Sequence, residues 1–299
     1  MWIIRPAFSL LELLVVLAII AILMALGLAG VQKVRAASAR AVCLNQLRQV
    51  AMACHNYVGS HGHLPSGCRS DEPKEKYPFL SWQAVILPQI ERDDLWREVE
   101  KAYASNRDFL LEPPHEIKGT IVPLYGCPSD PNTRTAVTYK HKTGTRSHAP
   151  TSYLGVNGLD AYTNKGVLYC DSATRFADIS DGLSNTLMIG ERPPTGPQRN
   201  YGWWYGGWGT DRNGDGDTHL GVRTKEVGSV GRNCRAKPPF PFVNRSDDDP
   251  CAPFQFWSKH PGGALFAFAD GSARFVSYSA DAILPALSTR AGGETVEVP

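Results

Sequence analysis

The sequence predicts an α+β protein in which one long N-terminal α-helix packs on an antiparallel β-sheet that carries a large loop-rich head. Three observations predict it. Leu13 to Gln32 are twenty consecutive residues without a charge, nearly all of them aliphatic. Apolar residues then recur at steps of three or four as far as Val58, the period of one helix face. Further along, short β-branched or aromatic runs alternate with turn residues, in a chain that holds 28 Gly and 22 Pro.

Composition bounds the class. The chain has 299 residues, 42% hydrophobic and 20% charged, enough for one large globular domain or two small ones. These fractions exclude a disordered tail and a collagen-like rod. With 31 basic and 29 acidic residues the formal net charge is +2, so no nucleic-acid partner is expected.

The first element is the uncharged run. Twenty helical residues span roughly 30 Å, the thickness of a bilayer core. The chain has no second run of this kind, which points to one membrane-inserting helix with a soluble body behind it. A cleaved secretory signal would use Arg5 as its charged flank and the small residues from Ala25 to Gly30 as its cleavage region. A plain anchor is the second reading, and a prepilin-type segment the third. Glu12 decides between them. A carboxylate at the start of an apolar helix is costly in a membrane unless it finds a partner, and a signal or a simple anchor gains nothing from it.

The helix is expected to continue past the membrane. Val34, Ala37, Ala41, Leu44, Leu47, Ala51, Cys54 and Val58 form one stripe, with Lys33, Arg35, Arg40 and Arg48 mostly off it. Gly59, Gly62 and Pro65 end the pattern. From Phe8 to Val58 the helix would measure on the order of 75 Å. Residues 59–80 read as a loop. Ser81 to about Glu100 reads as one or two short helices interrupted by Pro88. Strands are expected at Ile121–Tyr125, Ala136–Lys140, Ser152–Val156, Gly166–Tyr169, Thr186–Ile189, Tyr201–Trp208, Ala264–Ala269 and Arg274–Tyr278, and a last helical turn at Asp281–Leu287.

Pro6-Ala7-Phe8-Ser9-Leu10-Leu11-Glu12, followed by Leu-Leu-Val-Val-Leu-Ala-Ile-Ile-Ala-Ile-Leu, resembles the N-terminus of type IV prepilins and type II secretion pseudopilins. The resemblance implies a pilin-like fold and a prepilin peptidase that cuts between Ala7 and Phe8 and methylates the new amine. The family usually has Gly before the cut, where this chain has Ala7. Glu12 becomes the fifth mature residue. Pairing the Phe8 amine with Glu12 of a neighbouring subunit satisfies two opposite charges in an apolar setting and fixes axial register. The basic residues Lys33, Arg35 and Arg40 after the run, against Arg5 before it, would by the positive-inside rule place the body in the cytoplasm. The motif implies a dedicated export route and the opposite orientation.

The body carries further motifs: Cys54-His-Asn-Tyr, His63-Leu-Pro-Ser-Gly, Leu80-Ser-Trp, Cys127-Pro-Ser-Asp-Pro, Ile179-Ser-Asp-Gly-Leu-Ser-Asn-Thr, Gly190-Glu-Arg, and His260-Pro-Gly-Gly ahead of Phe268-Ala-Asp-Gly-Ser-Ala-Arg-Phe. Over about residues 6 to 278 it resembles a large bacterial family of prepilin-like proteins. These have a domain of unknown function and a C-terminal His-x9-Asp-Gly signature. The organisation expected is a leader at 1–7, a membrane and polymerisation helix at 8–32, a helix continuation packing on the head at 33–59, and an α+β head at 60–299.

Several constellations invite chemistry. Asp211, Asn213, Asp215 and Asp217 place oxygen ligands at alternate positions of a Gly-rich turn, the front half of a calcium loop. The twelfth position is Val222 rather than Glu, so the alternative is a solvated acidic turn. Some pseudopilins hold calcium in a surface loop, an analogy that favours the ion. His260 and Asp270 could form an acid–base pair, but a hairpin with Asp270 capping the Asp270-Gly271 turn is favoured. Glu191 beside Arg192 reads equally as a structural ion pair or a base. The aromatic run Tyr201 to Trp208 reads as core packing ahead of a sugar- or protein-binding surface. Of seven cysteines, Cys234 and Cys251 bracket a Pro-rich loop and are the expected disulfide. Cys43 and Cys54, roughly 16 Å apart along one helix, cannot bond each other.

The function expected is therefore structural rather than enzymatic: a subunit of a pilus-like or pseudopilus filament, single-pass in the cytoplasmic membrane before assembly. Its partners would be other pilin-like subunits and the prepilin peptidase. The alternative is an envelope-anchored module that binds carbohydrate or protein.

Overall fold

The computed structural model describes residues 9–141, 144–195, 201–209, 212–225, 234–294 and 296. It divides into two units, Met1–Ala41 and Val42–Pro299. A single helix, α1 (Leu10–His61), supplies the described structure of the first unit and enters the second. In the first unit the large apolar side chains of α1 are solvent-exposed from Leu10 to Val34. Such a surface needs lipid or other chains to cover it. The helix stops at Gly62, whose φ of 78° only glycine adopts without strain, and whose N–H donates to Val58 O at 2.7 Å.

In the second unit α1 packs through Cys43, Leu47, Val50, Ala51, Ala53, Cys54 and Tyr57, all buried. This face differs from the expected stripe. Packing begins at Cys43 rather than at residue 33, and Val34, Ala37 and Ala41 stand exposed. Leu44 and Val58 are half-buried at the margin. Small apolar residues occur on several sides of this helix, so spacing alone defines more than one stripe.

The next helices follow the sequence closely: α2 (Trp82–Val85), a 3-10 turn at Leu87–Ile90 containing Pro88, and α3 (Asp93–Ser105). Ser81 caps α2 by accepting from Ala84 N, which satisfies one of the free N–H groups at the helix start. The α3 face with Leu95, Val99, Ala102 and Tyr103 is buried.

A two-stranded ribbon, β1 (Val137–His141) with β2 (Gly144–His148), precedes the main sheet. That sheet has the order β5-β3-β4-β6-β7, formed by β3 (Tyr153–Val156), β4 (Leu187–Glu191), β5 (His219–Leu220), β6 (Gly263–Phe268) and β7 (Ala273–Ser277). Its pairs are antiparallel, as expected, except that the two-residue β5 runs parallel to β3. The sheet is buried on both faces. Alternate residues of β6 serve opposite cores, Leu265 and Ala267 toward the cluster containing Leu47 and Cys54, and Ala264, Phe266 and Phe268 toward that containing Leu284 and Leu287. The chain's last helix is α4 (Leu284–Ser288).

Three expected strands are absent. Ile121–Tyr125 holds a 3-10 turn at Pro123–Tyr125, because Pro123 has no N–H for a ladder. Gly166–Tyr169 is not a strand, although Val167 N and Leu168 N both donate to Val156 O of β3 at 3.1 Å. Tyr201–Trp208 makes only isolated bridges, Thr195 with Tyr201, Pro150 with Trp203 and Leu80 with Gly206. Its glycines pass close to other backbone, where a Cβ on Gly206 would sit 2.7 Å from Phe79 O.

Candidate functional site

Ala7 and Phe8 lie outside the described residues. The chain just after them is organised by a capping box. Ser9 Oγ accepts from Leu11 N at 3.2 Å, and Glu12 Oε2 accepts from Ser9 N at 2.9 Å. Glu12 therefore turns its carboxylate back toward the start of the helix, where the macrodipole favours negative charge. The Ser-x-x-Glu spacing carries this signal in the sequence, beneath the more conspicuous Phe8-x3-Glu12.

The signature hairpin separates its two named residues. His260 precedes β6 and Asp270 follows it, across a strand that spans roughly 20 Å. They form no acid–base pair. Asp270 Oδ1 accepts from Ser272 N at 2.8 Å and caps the turn, in which Gly271 has a φ of 84°. This turn rests on α1: a Cβ on Gly271 would lie 3.4 Å from Met52 Sδ and 3.5 Å from His55 Nε2.

His260 instead joins a buried group drawn from four segments. Its Nε2 lies 3.5 Å from Cys127 Sγ and 3.7 Å from Glu191 Oε1. Cys127 is disulfide-bonded to Cys43 of α1, with Cα atoms 5.1 Å apart. Glu191, at the end of β4, is 1% exposed, and burial pushes its carboxyl up to about 8. Its Oε2 accepts from Leu265 N at 3.2 Å. Arg192, the next residue, points away. Its Nη1 donates to Thr195 Oγ1 and its Nη2 to Gly216 O, both at 2.8 Å. Of the two readings of Glu191, the ion pair with Arg192 does not form, because consecutive side chains of extended backbone at the end of β4 face opposite sides.

In the acidic turn, Asp211 lies outside the described residues. Asn213 Oδ1 accepts from Asp215 N at 3.1 Å. Asp215 Oδ1 takes Asn157 Nδ2 at 3.0 Å, and Asp217 Oδ2 takes Gly209 N at 2.9 Å. Both carboxyls are buried and raised by that burial, to about 7 for Asp215 and about 6 for Asp217, with Arg192 nearby opposing the shift. Residues 214–217 are thus folded inward on protein donors rather than lying solvated on the surface.

Trp203, Trp204 and Tyr205 of the aromatic run are buried. Trp208 is 40% exposed and stacks on Phe79 at 5.4 Å, with the Arg212 guanidinium 5.1 Å from its ring. Cys234 and Cys251 form a disulfide, Cα atoms 4.8 Å apart.

Comparison with known families decides membership. Residues 32–282 match the family described as protein of unknown function (DUF1559). The chain belongs to this family. Residues 5–28 match the prokaryotic N-terminal methylation motif. No curated protein and no solved structure matches the chain.

As a DUF1559 protein with this motif, the chain is a type IV prepilin- or pseudopilin-like precursor, α+β, with an apolar N-terminal helix long enough to cross a membrane. The motif implies processing by a prepilin peptidase and assembly with other pilin subunits, and it points to a structural protein rather than an enzyme. Sequence reasoning missed the gathering of Cys43, Cys127, Glu191 and His260. Cys127, Glu191 and His260 each stand in a motif of the sequence, but at separations of 64 and 69 residues no spacing rule connects them.

Proposed function

We propose that the chain is a structural subunit of a type IV pilus-like or type II secretion pseudopilus filament. It is cut between Ala7 and Phe8 and N-methylated at Phe8. Before assembly it sits single-pass in the cytoplasmic membrane with its head on the extracytoplasmic side. The observation that carries this reading is the pairing of an exposed apolar helix face with Glu12, whose carboxylate is held at the helix start by Ser9 N. Once withdrawn from lipid, that face must be buried against other helices, and a neighbour's cationic amine offsets the carboxylate. Mass spectrometry of the mature protein is expected to begin at an N-methylated Phe8, and Glu12→Ala to abolish filament incorporation while the head stays folded. A mature N-terminus at Met1 or near residue 30 defeats the reading.

The shelf of Trp208 over Phe79 beside Arg212 favours a second reading, an envelope-anchored module that binds carbohydrate or protein. It predicts a head that retains ligand in the Glu12→Ala chain and loses it with Trp208→Ala. Calcium at the turn of Asp211, Asn213, Asp215 and Asp217 belongs to the proposal as well. Bound to the native state alone, the ion would raise the melting temperature of the parent and not of Asp215→Ala, whereas equal responses would leave an acidic turn held by Asn157 and Gly209.

A further inference from the structure

A disulfide completes the bonding of both its sulfurs and requires no polar neighbour. The bond between Cys43 and Cys127 nevertheless has two. His260 Nε2 stands 3.5 Å from Cys127 Sγ, and Glu191 Oε1 stands 3.7 Å from that same nitrogen. The ligating atoms of Cys43, Cys127 and His260 all lie within 4.8 Å of one another. All four residues are buried, at 4% exposure or less. Donors at the corners of a tetrahedron with metal bonds of about 2.0–2.3 Å lie roughly 3.3–3.8 Å apart, which is the spacing His260 Nε2 already keeps from both neighbours.

Each donor is also anchored from behind. The Tyr153 hydroxyl donates to Cys43 O at 3.3 Å, and Cys127 N donates to Ser152 Oγ at 3.0 Å. His260 N donates to Ser258 Oγ at 2.9 Å, and Leu265 N holds the other oxygen of Glu191. Backbone held in this way keeps a ligand set in place without the metal. Two soft sulfurs, an imidazole nitrogen and a carboxylate oxygen suit a borderline thiophilic dication, and two thiolates cancel its charge inside an apolar core.

We propose that the dithiol form of this centre binds one divalent cation of the zinc class through Cys43, Cys127 and His260, with Glu191 in the fourth position. The disulfide and the metal are then alternative cross-links between α1 and the segment of Cys127, the metal adding Glu191 at the end of β4 and His260 ahead of β6. A dithiol reductant opens the disulfide by giving up two electrons and two protons, leaving as its own disulfide. The cation then displaces the two cysteine thiol protons and the proton of the Glu191 carboxyl, all of which pass to water.

The test uses the full chain in detergent micelles, reduced without air, freed of reductant and titrated with Co(II). One equivalent per chain is expected to produce sulfur-to-cobalt charge-transfer absorption and the visible bands of tetrahedral cobalt, both abolished by displacement with zinc. His260→Ala should weaken binding at least tenfold, and Glu191→Gln about tenfold. Absence of the bands overturns the proposal. So do bands of undiminished affinity in His260→Ala, which would place the cobalt on other thiols, Cys54, Cys68 and Cys170 or the reduced Cys234 and Cys251. Should that variant not fold, X-ray absorption of the zinc-loaded parent decides the matter. Two sulfur and two nitrogen or oxygen neighbours support the centre, and four sulfurs or none overturn it.

Discussion

The Nε2 of His55, on the packed part of α1, lies 2.9 Å from the carbonyl oxygen of Ala269, the residue that precedes the Asp270-Gly271 turn. The signature hairpin is thereby fixed to the helix: its turn presses on Met52 and His55, and Leu265 and Ala267 of its first strand share a core with Leu47 and Cys54.

Leu47 is fully buried in that core, while Arg48 is exposed. Leu47→Ala should cost roughly 2–5 kcal/mol, a large share of an ordinary domain stability of about 5–15 kcal/mol. Leu44→Ala, from a half-buried site, should cost less, and Arg48→Ala under about 0.5 kcal/mol. Urea unfolding of the full chain in detergent, followed by tryptophan fluorescence, orders the three variants. Equal losses at Leu47 and Arg48 would show that α1 does not pack by this face.

His115 offers a pH test. It is fully buried, with Nδ1 2.5 Å from the Tyr205 hydroxyl and Nε2 2.8 Å from Asn106 O, partners that fit a neutral ring protonated on Nε2. The Tyr103 ring and Lys118 also face it, with Asp108 and Glu116 nearby. Burial pushes its pKa below the ordinary 6.5, with Lys118 adding to the shift against the opposing pull of Asn106 O, Asp108 and Glu116. Below about pH 6.5 the unfolded chain then takes up a proton that the native chain refuses, so stability falls as pH falls. Above that pH the ring is neutral in both states and contributes no slope. Melting temperatures at pH 5 and pH 7.5 should differ more in the parent than in His115→Gln. An equal difference would remove His115 as the cause.

Two disulfides and seven cysteines leave Cys54, Cys68 and Cys170 as thiols. A thiol reagent should count three in the denatured oxidised chain and seven after reduction. In the folded chain Cys170, the half-buried one, should react first. Cys54 is buried and its thiol is pushed far up by that burial, while Cys68 is raised by its contact with Cys170 and by burial, so both hold few thiolates. A count of one in the denatured oxidised chain would mean that Cys68 and Cys170 had joined.

The sequence by itself determined the long helix, because twenty uncharged residues and a 3.6-residue period are local facts that need no partner to read. It also determined the breaks at Gly62 and Pro88, the strands β3, β4, β6 and β7, and the Asp270-Gly271 turn, each fixed by chemistry within a few residues. Tertiary structure decided which side of α1 is buried, since several of its faces carry small apolar residues and only the sheet selects among them. It decided that Tyr201–Trp208 is not a strand, because its backbone bridges in turn to three different segments, at Thr195, Pro150 and Leu80, rather than along one neighbour. It decided the parallel partner of β3, two residues too short to show a period. Above all it decided the meeting of Cys43, Cys127, Glu191 and His260. Cys43 and Cys127 are joined covalently and His260 and Glu191 stand beside them, and no periodicity along the chain reports a contact made by four separate segments.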